Sequence, residues 1–69
     1  MRWETIVGEN VRRLRIERGL SQEALAGEAG LAMRHLGRIE RGEGNPTVSM
    51  LGQLASALGT TPSMLLETD

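Results

Sequence analysis

The sequence predicts an all-α domain of five short helices, on three observations. Phe, Tyr and Cys are absent, β-branched residues are few, and Ala, Leu, Glu and Arg are plentiful, a mix that favours helices over strands. Apolar residues recur at spacings of three and four, the period of a half-buried helix. Glycines and prolines fall where that recurrence breaks. At 69 residues the chain has room for one domain around one small core.

The first helix is predicted over about Thr5 to Arg18, with Val7, Val11 and Leu14 turned inward. Ser21, a good N-cap, opens a second helix that points Leu25 and Ala26 at the core and stops at Gly30. The third runs from about Ala32 to Arg41 and ends at Gly42. Pro46 then holds Asn45 out of the helical region, and Thr47 is placed to cap a fourth helix from Val48 to Leu58. That helix buries Leu51, Leu54, Ala55 and Leu58 and ends at Gly59. Thr61 caps a brief fifth helix with Pro62 at its first position, followed by Met64, Leu65 and Leu66. Gly8, Gly27, Gly37 and Gly52 fall inside these segments. Each costs roughly 1 kcal/mol of helix propensity relative to Ala, tolerated where packing overrides the cost or where a backbone must come close.

Composition narrows the function. The absence of cysteine excludes disulfides and Cys-ligated metals and favours a reducing, cytoplasmic setting. One histidine, His35, supports neither a His-rich metal site nor a Ser-His-Asp triad. The first ten residues carry acids and no apolar run, unlike a signal peptide, and no segment approaches the ~18 apolar residues of a membrane span. Ser21, Ser49, Ser56 and Ser63 have no evident base beside them, so an enzyme is not expected, nor is a cofactor.

The net charge of −1 hides a segregation. Residues 12 to 41 hold seven Arg against Glu17, Glu23, Glu28 and Glu40, a balance of +3, while the flanks carry −4. All eight basic residues are Arg. On a helical wheel of ~100° per residue, Leu36 and Ile39 of the third helix point one way. Met33, Arg34, Gly37, Arg38 and Arg41 share an arc of ~140° on the other side. That exposed face suits the major groove of B-DNA, where Arg reads guanine O6 and N7 bidentately. Gly37 at its centre adds no side chain, which lets the helix backbone approach closely.

Two helices joined by about three residues with a glycine between them match the helix-turn-helix unit, here residues 21 to 41. "GLSQEALAGEAGL", followed by "LGRIERGEGNPTVSMLGQLASALG", resembles the phage repressor/Cro-type (XRE-like) helix-turn-helix family over residues 8 to 66. The resemblance implies a lambda-repressor-like fold of five helices forming a single domain, 1 to 69, with its core over 5 to 66. It also implies homodimeric binding to double-stranded DNA at a near-palindromic operator, usually for transcriptional regulation. Met33, Arg34 and Arg38 then occupy base-reading positions. Gln22 resembles the residue that contacts a phosphate and steadies the recognition helix, and Arg41 the backbone-contacting residue that follows that helix. Arg15 and Glu40 match a structural ion pair. His35 is either a phosphate donor or an ordinary exposed side chain. Met64 is expected in the dimer interface and Leu65 in the core, while Trp3 suits either.

Two departures stand out. Ala32 replaces the usual Ser or Thr cap of the recognition helix, a loss of ~1 kcal/mol. Met33 stands where polar residues are common and suits contact with a thymine methyl. Three roles compete within DNA binding: a stand-alone regulator such as a phage-like repressor, a restriction-modification controller, and an antitoxin. A protein-binding helical module without DNA binding is the rival class, supported by the net negative charge. Arg12, Arg13 and Arg18 carry no assigned role, and residues 1 to 69 hold no evident small-molecule effector domain.

Overall fold

The structure, a computed structural model, describes residues 2–68. They form α1 (Trp3–Glu17), α2 (Gln22–Ala29), α3 (Met33–Glu40), α4 (Val48–Leu58) and α5 (Pro62–Leu65), with no strand among them. α1 packs on α3, α4 and α5, α2 on α3 and α4, and α4 on α5.

Side-chain capping follows the predicted pattern at two starts. The Ser21 hydroxyl accepts from the Ala24 N–H at 3.0 Å and that of Thr47 from Met50 at 3.1 Å. Two other starts differ from expectation. α1 begins at Trp3 rather than near Thr5, because the Arg2 carbonyl accepts from Thr5 and Ile6 and Glu4 in the first turn complements the helix dipole. Thr61 holds the N-cap position of α5 but makes no cap bond. Its hydroxyl pairs with that of Ser63 at 3.1 Å instead.

One terminator ends four helices. At the helix-turn-helix corner Gly30 adopts φ +73°, a conformation that costs residues with a Cβ. The chain can then fold back so that the Leu31 N–H donates to the Ala26 carbonyl at 2.9 Å, the long bond of a Schellman motif. Leu20 to Arg15, Glu43 to Arg38 and Thr60 to Ala55 repeat it at 2.9–3.0 Å.

The core gathers Val7, Val11, Leu25, Ala26, Ala29, Leu36, Ile39, Leu51, Leu54, Ala55, Leu58 and Leu65, with Leu14, Leu20 and Leu31 packed at its edge. Leu14 is therefore an edge residue rather than a fully buried one. Across α1, α2 and α3 runs a polar lock. Arg15 Nε donates to Glu40 Oε2 at 2.7 Å, and its Nη2 to Oε1 at 3.1 Å. Gln22 Nε2 donates to the same Oε1 at 3.0 Å, and Arg15 Nη1 to the Leu20 carbonyl at 2.9 Å. The Glu40 side chain is only 3% exposed and that of Arg15 14%. Every buried side-chain nitrogen and oxygen among the described residues has a partner.

Removing one partner of such a pair strands a buried charge, at a cost of roughly 3–5 kcal/mol. A domain of this length has on the order of 3–10 kcal/mol to lose. Glu40→Ala is therefore expected to lose most of its folded stability in a urea melt. A melt within about 0.5 kcal/mol of the wild type, the range of an ordinary surface change, would assign the lock no energetic weight.

Candidate nucleic-acid interface

An eight-residue helix is marginal on its own in water, so α3 is held by its contacts. Leu36 and Ile39 are fully buried behind it, Glu40 is tied to α1 and α2, and Ala32 contributes no side-chain cap. Met33, Arg34 and Arg38 stand exposed on the opposite side, with Arg41 just beyond the last turn. The ion pairs among the described residues engage Arg2, Arg13, Arg15 and Arg41 and leave Arg34 and Arg38 without an acidic partner. Two exposed guanidiniums without an acidic partner among the described residues thus project from one face of a braced helix.

Two details of this face differ from the sequence reading. Gly37 is buried rather than presented at the centre of the exposed arc. Helical side chains lean toward the N-terminus over the residue four positions back, and Arg41 does so: its Nη1 lies 3.3 Å from where a Gly37 Cβ would stand. His35 is half-buried at the margin of the face rather than openly exposed.

Other predicted site residues divide by their surroundings. Gln22, the first residue of α2, is half-buried and spends one donor on Glu40. Arg41 Nε pairs with Glu43 at 3.3 Å, both well exposed, a partner the sequence reading did not assign. Arg13 pairs with Glu17 at 3.3 Å along α1. Arg18 lies over Gly59, where a cation suits the C-terminal end of α4. Arg12 stays exposed. Val48, at the start of α4, is 83% exposed.

α5 inserts Leu65 into the core and leaves Met64 40% and Leu66 44% exposed. Trp3 is also exposed rather than in the core. Asn10 Nδ2 donates to the carbonyls of Leu65 and Glu67 at 2.8 and 2.9 Å, so α1 holds the end of α5. This clamp went unseen in the sequence. The only hint was a poor helix former in the middle of a helix. No group of His, Asp and Glu suited to a metal ion occurs among the described residues, and no described helix is long and apolar enough to cross a membrane.

Comparison with known proteins agrees with this architecture. The helix-turn-helix family profile HTH_3 matches residues 11–65. The chain is 48% identical over 61 residues to the control protein C.SmaI of Serratia marcescens, covering 88% of this chain and 73% of that one. The crystal structure of the restriction-modification controller protein C.AhdI from Aeromonas hydrophila superposes with a TM-score of 0.87 at 39% identity, covering 90% of this chain and 94% of that one. SinR, a master regulator for biofilm formation crystallised in complex with DNA, superposes with a TM-score of 0.84 at 32% identity, covering 88% of this chain and 98% of that one. The chain belongs to the Cro/C1-type (XRE) helix-turn-helix family, whose members are DNA-binding transcriptional regulators rather than enzymes.

Proposed function

We propose that the protein is a homodimeric, sequence-specific regulator that lays α3 in the major groove of a near-palindromic operator. The observation that carries this reading is the exposed pair Arg34 and Arg38, without acidic partners among the described residues, on a helix anchored from behind by Leu36, Ile39 and Glu40. Arg34 and Arg38 read guanines, and Met33 packs on a thymine methyl. Gln22 and Arg41 contact phosphates. For Gln22 one Nε2 hydrogen stays available beyond the bond to Glu40, and for Arg41 the exposed pair with Glu43 is weak enough to exchange for a phosphate. His35, at the edge of the face, donates to a phosphate where the groove wall approaches.

One module presents one such helix. A two-fold dimer places two of them about one turn of DNA apart, ~34 Å, and Met64 beside Leu66 supplies an apolar patch for that contact. A protein that binds the genome this way works in the cytoplasm. Among the regulatory roles, restriction-modification control is favoured by the likeness to C.SmaI and C.AhdI. Methyltransferase or endonuclease genes beside the coding sequence would be its mark.

The test is a duplex titration at two salt concentrations. A DNA reader shows log affinity falling with log salt by about 0.9 per phosphate neutralised, together with preference for one sequence. A module made only for protein binding shows neither. Arg38→Ala is expected to weaken operator binding by ~1–3 kcal/mol and to relax base preference at one position. Arg41→Ala is expected to weaken all duplexes alike and to lower the salt slope by about 1; a change of base preference would move Arg41 into the reading set. Met64→Glu is expected to shift the protein toward monomer in sedimentation equilibrium, and an intact dimer would place the interface elsewhere.

A further inference from the structure

Gly8 sits buried in the middle of α1, where glycine costs about 1 kcal/mol relative to Ala. The geometry around it gives the reason. A Cβ built there would overlap the Ile39 carbonyl oxygen and lie 3.0 Å from the carbonyl oxygen and 3.2 Å from the carbonyl carbon of Glu40. These are backbone atoms of the last turn of α3, and no rotamer change moves them.

The other glycines inside helices differ. Gly27 and Gly52 have open space around the Cβ position, and Gly37 meets only the far end of the Arg41 side chain. Gly8 alone of these four lets one helix backbone rest on another.

We propose that Gly8 is a positioning residue for base reading: it sets how closely the C-terminal end of α3 rests on α1, and so where Arg38 and Arg41 project. This rests on the reading of α3 as the helix that enters the groove. The two ends of α3 are held differently. Its N-terminal end follows directly from the Gly30 corner, and Leu36 fixes its middle in the core. Its C-terminal end meets α1 at two points on one face, seven residues apart. The Gly8 backbone faces the Ile39 and Glu40 carbonyls with no room between them for a Cβ, and the Arg15 guanidinium grips the Glu40 carboxylate. The guanidinium is at the tip of a long side chain and can follow a small shift, whereas the backbone contact is a hard stop. A methyl group at position 8 must push the last turn of α3 away from α1. That swings Arg38 and Arg41 further than Met33 and Arg34, which lie near the anchored end. Phosphate contacts tolerate such a shift, because a charge interaction falls off gently with distance. Bidentate contacts to a base edge do not.

The experiment compares wild type, Gly8→Ala and Gly27→Ala on two duplexes: the operator recovered by selection from a random pool, and a random duplex of the same length. All binding is measured well below the melting temperature of each variant, with folding checked by circular dichroism and amide proton–nitrogen spectra. Gly8→Ala is expected to stay folded and to show amide shifts concentrated over residues 36–43. Its preference for operator over random duplex should fall about tenfold or more, the scale of one lost base contact, while affinity for the random duplex and its salt slope stay at wild type. Gly27→Ala should melt higher and keep the wild-type preference. A folded Gly8→Ala with wild-type preference overturns the proposal, as does equal weakening on both duplexes. An unfolded Gly8→Ala also overturns it, since Gly8 then serves the fold as a whole. If the wild type itself prefers no duplex, the reading of α3 fails separately. The amide map then decides the positioning alone, and shifts spread evenly along the chain refute it.

Discussion

One carboxylate organises this molecule. Glu40 closes α3, and its two oxygens take three donors from α1 and α2. Such a buried ion pair is weak evidence for net stability, because desolvation offsets much of the attraction. Its value lies in geometry. A guanidinium fork meets a carboxylate in a fixed plane, so the pair follows a small shift of α3 on α1, while a larger rotation or slide breaks two bonds at once. Gln22 extends that constraint to the start of α2, and the Leu20 carbonyl ties in the turn between α1 and α2.

The exposed face of α3 follows from this bracing. α3 is short, lacks a side-chain cap and carries a glycine at its centre, so its own propensity does little to hold it. Leu36 and Ile39 fix its inner side and Glu40 fixes its end, which leaves the outer side free to carry arginines chosen for a partner. The overall charge of −1 does not oppose this role. A local field matters more than the total near a surface, and beyond about 8–10 Å physiological salt screens the acidic flanks.

Much of the fold was legible in the chain because its punctuation is chemical. Gly19, Gly30, Gly42 and Gly59 all adopt positive φ, and each falls where an apolar period stops. Ser21 and Thr47 precede such periods and cap them. The exposure of Met33, Arg34 and Arg38 follows from the wheel of α3 alone. Contacts set by side-chain reach were not legible in this way. Arg41 folds back over Gly37, and the wheel, which places Cβ directions only, put that glycine in the open. Asn10 reaches carbonyls 55 and 57 residues away, a pairing no local pattern encodes. Thr61 looks like a cap in sequence, yet its hydroxyl has a nearer partner in Ser63. Gly8 was marked as a cost needing a reason, and only the crossing of α1 with the end of α3 supplies one.

On this reading the arginines of α3 enter the major groove and donate hydrogen bonds to guanine edges. Methylation interference on a selected operator tests it most directly, because a methyl on guanine N7 blocks the acceptor that Arg uses there, whereas a methyl on adenine N3 lies in the minor groove. A dimer reading guanines this way loses binding from N7-methylated guanines in two clusters about one helical turn apart. Binding indifferent to N7 methylation, or blocked only by methylation at adenine N3, would contradict it.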